Sequence, residues 1–157
     1  MRLVEVGLLI IPFAFMISFF GGLQVGMDSW RIVDLLLANP QIYMYYIQVI
    51  VLYLIFPPAI SLTLTILGYS REKEFSKKIF SKWPSIIIGG IPIIFGFLIL
   101  RETYYAYYNN MSWLHSKGIQ RIDTPLLMIY GTEFIAGILW LFLGVLILYF
   151  YASQKLG

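Results

Sequence analysis

The stretch IYMYYIQVIVLYLIFPPAISLTLTIL, residues 42–67, contains no Asp, Glu, Lys or Arg, and it decides the fold. A bilayer core of about 30 Å is crossed by about 20 apolar residues in a helix. Because lipid cannot hydrogen-bond the backbone, a segment of this kind must satisfy its own amides, which a helix does. The run therefore reads as a membrane-spanning helix. It carries Pro57 and Pro58 near its middle. Adjacent prolines remove two backbone donors, so a kink or local break is predicted halfway across the membrane. Ser61, Thr63 and Thr65 follow and are expected to offer hydroxyls to the loosened carbonyls. Breaks at this depth hold ligands in some transporters, although kinks that only shape packing are commoner.

Three further apolar runs flank this one, at residues 3–25, 85–108 and 126–152. Pro12 lies in the first, where neighbouring helices can compensate for the missing donor. Gly89, Pro92 and Gly96 fall near one face of the third, and Gly131, Gly137 and Gly144 lie in the fourth, spacings that let another backbone approach closely. Of 157 residues, 60% are hydrophobic and 12% charged, with mean hydropathy +0.82. A soluble domain carries about 25% charged residues. The expected fold is all-α, an integral membrane bundle of four transmembrane helices forming one domain over residues 1–157, with no room for a separate soluble domain. The positive start and apolar stretch to Phe20 have the outline of a secretory signal. The run continues to Val25 without a small-x-small cleavage site, so an uncleaved first span is expected.

Residues 27–40, MDSWRIVDLLLANP, predict a short interfacial helix between the first two spans, with Asp28 or Ser29 as N-cap and Asn39-Pro40 as stop. Trp30, Val33, Leu36 and Leu37 share a helical spacing, and Asp28, Arg31 and Asp34 are polar. This suits a helix at headgroup level, or equally one packed on the bundle. Residues 68–84, GYSREKEFSKKIFSKWP, form a basic loop that the positive-inside rule places in the cytoplasm. Four spans then put both termini on the cytoplasmic side of the cell membrane. Arg2, Arg71, Lys73, Lys77, Lys78, Lys82 and Lys155, seven of the eleven basic residues, fall inside on this topology; Arg31, Arg101, Lys117 and Arg121 fall outside. The loop could also attract anionic lipid or an acidic subunit, but topology alone explains it. With the basic residues held between apolar runs, a net charge of +3 argues for orientation, and no nucleic-acid partner is expected.

Cysteine is absent and His115 is the one histidine, which removes thiolate sites, iron–sulfur ligation and bis-histidine haem. No metalloprotease, nucleophile-elbow, phosphate-loop or dinucleotide motif occurs, so no metal site, bound cofactor or catalytic centre of the chain's own is expected. Glu5, Gln24 and Gln48 are expected to make packing hydrogen bonds. Besides the Pro57-Pro58 break, the candidate site is a polar layer. Arg101 and Glu102 near the end of the third span lie at a depth similar to Glu133 near the start of the fourth. A charge at mid-span costs about 2.5–3.5 kcal/mol, so an Arg101–Glu133 pair is expected. Together with Tyr104, Tyr105 and His115, this layer is a candidate contact for a quinone or lipid head, since carboxylate, phenol and imidazole can exchange protons with a quinol. The competing interpretation is a structural salt bridge among interfacial tyrosines, including Tyr107 and Tyr108, or a subunit contact.

Two functional classes follow. In the first, the chain is a cofactor-free accessory subunit of a larger membrane complex, of the respiratory or electron-transport kind, with the bilayer and other membrane subunits as partners. Small size, little extramembrane mass and glycine faces able to receive foreign helices favour it. In the second, it is a stand-alone or homo-oligomeric small transporter, or a lipid- or quinone-binding protein. The ionisable groups lie toward one surface and no repeat relates the two halves, which counts against transport.

Overall fold

The computed structural model describes the backbone of residues 2–29, 32–82 and 84–156, and the side chains of residues 2–21, 32–81, 84 and 86–154. Its elements are α1 (Leu3–Ser29), α2 (Ile32–Ala38), a 3-10 turn (Pro40–Ile42), α3 (Tyr43–Ile50), a π-helical turn (Val51–Ile55), α4 (Phe56–Arg71), α5 (Lys73–Lys82), α6 (Ser85–Ser116) and α7 (Asp123–Leu156). No strand occurs among the described residues. Four stretches are long and apolar enough to cross a membrane: Leu3–Gly21, Pro40–Arg71, Ile86–Ser116 and Asp123–Gln154. The chain is an all-α membrane bundle of four transmembrane helices.

Two close antiparallel pairs build it. In the first, α6 and α7 meet glycine to glycine. A Cβ on Gly144 would fall 2.5 Å from the Gly89 carbonyl oxygen, and one on Gly96 would fall 2.8 Å from the Gly137 oxygen. The seven-residue spacing on both helices keeps these residues on one face, as the sequence indicated for Gly89 and Gly96. In the second pair, α1 lies on α4. A Cβ on Gly7 would meet Thr65 Oγ1 at 2.6 Å, and the Ser61 hydroxyl donates to the Gly7 carbonyl at 2.9 Å.

The two pairs close on each other around an aromatic centre. Phe95 of α6 packs edge-to-face against Phe15 of α1 and Trp140 of α7, with ring centroids 5.1 and 5.0 Å apart. On either side of it lies an apolar core. One core, at the end carrying α5, includes Val4, Leu8, Phe80, Leu143 and Ile147; the other, at the far end, includes Ile32, Leu36, Ile50, Leu114, Ile122 and Leu126. Phe95 and Ile99 pack against both.

Several boundaries differ from the sequence expectation, and each has a physical reason. The helix of the first span continues past Val25 to Ser29, so Asp28 and Ser29 end α1 rather than cap α2. The junction at Trp30 and Arg31 lies outside the described residues, as do the side chains of Gln24, Asp28, Lys82 and Lys155. Ile32 and Leu36 are the fully buried face of α2, with Val33 and Leu37 only partly covered, so this short helix packs on the bundle. Residues 73–82 of the basic loop are helical: Ser76, Ile79 and Phe80 of α5 are buried against the bundle end. Gln48 is exposed instead of making a packing bond, whereas Glu5 accepts the Arg2 amide at 2.9 Å.

The largest difference is at the far end, where the third helix runs eight residues beyond Tyr108 to Ser116. At 1.5 Å per residue its 32 residues measure about 48 Å, more than the bilayer core requires. It stops at a Schellman cap: Gly118 sits at φ 69°, its amide donates to the His115 carbonyl, and the Ile119 amide donates to the Leu114 carbonyl, both at 3.0 Å. Leu114, Ile122, Ile32 and Leu36 then form a small apolar cap at this end. The connection expected over residues 109–125 shrinks to residues 117–122.

The glycine contacts are directly testable. Gly144→Val should lower stability by about 1–3 kcal/mol, because the new side chain forces α6 away from α7. Gly90→Ala, with nothing within 4 Å of the added carbon, should be neutral or stabilise by up to about 1 kcal/mol. Denaturation in detergent followed by circular dichroism measures both.

Candidate functional site

The predicted break in the second span is real, and its local chemistry is specific. In an uninterrupted helix the amides of residues 57 and 58 would bond the carbonyls of Tyr53 and Leu54. Both residues are proline, so both carbonyls lose their donors. The preceding turn widens to π geometry over Val51–Ile55, with the Phe56 amide reaching the Val51 carbonyl. Two side chains from other helices supply replacement donors. The Ser18 hydroxyl of α1 donates to the Tyr53 carbonyl at 2.7 Å, and the Trp140 indole N–H of α7 donates to the Leu54 carbonyl at 3.2 Å. The hydroxyls expected to serve here bond elsewhere: Ser61 to Gly7, Thr63 to the Ala59 carbonyl at 2.8 Å and Thr65 to the Ser61 carbonyl at 2.7 Å. With its carbonyls occupied by protein donors, the break ties α1, α4 and α7 together.

A second polar feature runs along the α6–α7 interface toward the far end, beyond the last glycine contact. Thr103 Oγ1 donates to Glu133 Oε2 at 3.1 Å, Asn110 Nδ2 donates to the Tyr130 hydroxyl at 2.7 Å, and His115 Nε2 lies 2.9 Å from Asp123 Oδ2. Asp123, Tyr130 and Glu133 sit at intervals of seven and three, which places them along one side of α7. Arg121 completes this end by donating to the Leu37 carbonyl at 2.9 Å, where a cation suits the C-terminus of α2.

The six residues of the expected layer divide between two faces. Glu133 and His115 belong to the α6–α7 row just described. Arg101, Glu102, Tyr104 and Tyr105 are exposed on α6. Thr103 is buried, and Arg101, Tyr104, Tyr105 and Tyr108 fall at intervals of three and four on the side of the helix away from it. The Arg101–Glu133 pair does not form: the guanidinium lies 5.8 Å from the centre of the Tyr105 ring, and Glu133 takes the Thr103 hydroxyl. A two-residue offset from Arg101 to Thr103 turns a helix by about 200°, which carries the guanidinium to the wrong side.

Sequence reasoning missed Ser18, Trp140, Tyr130 and Asn110. For the first two a signal existed, since two missing donors in lipid demand two replacements. Only the three-dimensional register identifies which side chains supply them.

If Ser18 serves the carbonyl freed by Pro57, the two positions must be energetically coupled. Ser18→Ala alone should cost about 1–3 kcal/mol through an unsatisfied buried acceptor. In a Pro57→Ala background, where the restored amide can bond Tyr53, the same change should cost less than about 0.5 kcal/mol. Additive costs in this double-mutant cycle would show that the hydroxyl has another role.

Comparison of the chain with protein-family models, curated proteins and solved structures finds no match.

Proposed function

We propose that the chain is a cofactor-free accessory subunit of a larger membrane complex, docked through the exposed face of α6. The observation that carries this is the direction taken by Arg101 and Glu102. They are consecutive, opposite in charge and exposed, and among the described residues neither forms an ion pair. Charged residues in spanning segments ordinarily face protein or a water-filled cavity. The protein they face here belongs to another chain. Beside them Tyr104, Tyr105 and Tyr108 are 61%, 52% and 59% exposed, a combination of Arg and Tyr that protein interfaces favour.

Two features favour this over a transporter. The middle of the bundle is filled by Phe15, Phe95 and Trp140, and the carbonyls at the helix break, which would be the ion ligands, are taken by Ser18 and Trp140. One support drawn from sequence falls away. Gly7, Gly21, Gly68, Gly89, Gly96, Gly137 and Gly144 are occupied by this chain's own helices, which leaves Gly90 and Gly131 as the open helical glycines among those described. The docking surface is therefore aromatic and charged in character.

Gentle extraction from the native membrane, followed by native separation and identification of co-migrating chains, tests the proposal. Co-migration with other integral subunits is expected, with cytochrome, oxidase or dehydrogenase chains if the complex is respiratory. Arg101→Ala/Glu102→Ala should release the chain without changing its helix content. Migration as a lone monomer or homo-oligomer, under conditions that keep known complexes intact, would rule the proposal out.

A second reading, a quinone or lipid head held at Glu133, is favoured by one observation: among the described residues this carboxylate within a spanning helix takes a single hydrogen bond, from Thr103. Glu133→Gln keeps an acceptor for that hydroxyl and removes the ionisable group. The accessory proposal expects unchanged thermal stability with and without added quinol. Quinol-dependent stabilisation in the parent that is lost in the variant would favour the second reading, since a ligand bound to the native state raises the melting temperature.

A further inference from the structure

The helix α5 and the end of α4 present cations that the fold does not use. Within α5, Phe75, Ser76, Ile79 and Phe80 form the side turned toward the bundle, where Phe80 packs on Tyr69 and Phe150 at ring distances of 6.1 and 5.5 Å. With 100° between successive positions, Lys73 and Lys77 lie along one border of that side and Lys78 along the other. All three are exposed, as is Arg71 at the end of α4. Of the two carboxylates in this segment, Glu72 is engaged with Arg2 at 3.6 Å and Glu74 is exposed on α5, leaving the cations in excess; Arg2 also lies 3.8 Å from the centre of the Phe75 ring. Among the described residues Arg71, Lys73, Lys77 and Lys78 form no ion pair. One turn beyond Phe150, the Gln154 amide nitrogen is buried with no hydrogen-bond partner among the described residues.

We propose that these four cations form a binding surface for the head groups of anionic phospholipids. Because the apolar side of α5 is anchored to the ends of the spanning helices, the helix is held at the membrane surface. Lysines along its borders can extend to phosphate level while their methylene stems lie along apolar surface. The helix is already ordered, so lipid binding costs little ordering entropy. Orientation by the positive-inside rule needs only the charge count in this segment; the arrangement of unpaired lysines on both borders of an anchored helix adds a site. Each such cation strengthens binding to an anionic surface on the order of fivefold, and salt weakens it.

The full-length chain, purified in detergent, is titrated with phosphatidylglycerol and with phosphatidylcholine of the same acyl chains, and bound lipids are counted by native mass spectrometry. The expected result is a preference for phosphatidylglycerol that Lys77→Gln/Lys78→Gln reduces more than tenfold, with phosphatidylcholine binding unchanged. Arg71→Gln/Lys73→Gln should do the same, so the test survives if one pair disturbs folding. Lys117→Gln, at the opposite end, should have no effect. Equal binding of both lipids, a preference that survives both double variants, or one abolished by Lys117→Gln would overturn the proposal. Absence of lipid preference together with lysine-dependent capture of an acidic protein would overturn it in favour of a protein partner.

Discussion

A peptide carbonyl in the middle of a bilayer has no water to bond, and the Pro57-Pro58 pair creates two of them without their helical donors. Several otherwise separate features of the bundle follow from this constraint. Ser18 must face the π-helical turn, which orients α1 about its axis, and Trp140 must face the same turn, which orients α7. Once the indole is so placed, its ring meets Phe95, and Phe95 in turn meets Phe15. The centre of the bundle is thus specified by hydrogen bonds that have fixed directions, whereas apolar contact between lipid-solvated helices specifies little, because the lipid tails compete on equal terms.

The α6–α7 pair is built in two halves that obey different rules. From Gly89 to Gly96, contact is backbone on backbone and depends on the absence of side chains. From Thr103 onward the helices are joined by side-chain hydrogen bonds, and this part of the hairpin leads into the apolar cap formed with α2. The polar half is held in register by the glycine half. Each seven-residue step carries the same face forward, from Gly96 to Thr103 and on to Asn110. The side of α6 opposite this face, bearing Arg101 and the exposed tyrosines, is therefore fixed as strictly as the interface itself.

Hydropathy made the four spans legible, and proline made the break legible. Neither gave helix length. The cluster Tyr104 to Tyr108 marks where the environment changes, and a helix can cross that boundary if something beyond it covers its apolar side. Here Leu114 is covered by Ile32, Leu36 and Ile122, and the true stop lies in the Lys117-Gly118 pair, where glycine accepts a positive φ. The Arg101–Glu133 pairing failed for a related reason. Matching Arg101 to Glu133 by depth ignores rotation, and on a helix an error of two positions is nearly a half turn. Residues read by face, such as Gly89 and Gly96, came out as expected.

The same argument about faces bears on where function can reside. With the interior closed by aromatic rings and its broken backbone bonded internally, the proposed contacts lie on the periphery. The two polar peripheral features have opposite characters. At the α5 end the unpaired groups are four cations against the single carboxylate Glu74, on an anchored amphipathic helix and the turn before it, and this net positive charge suits a mobile, uniformly charged partner such as a lipid leaflet. On α6 a cation and an anion occupy consecutive positions beside rigid aromatic rings, and a uniform surface cannot favour both at once. Only a partner with its own fixed arrangement of charges can, which is why the proposed subunit contact belongs to α6 and the proposed lipid contact to α5.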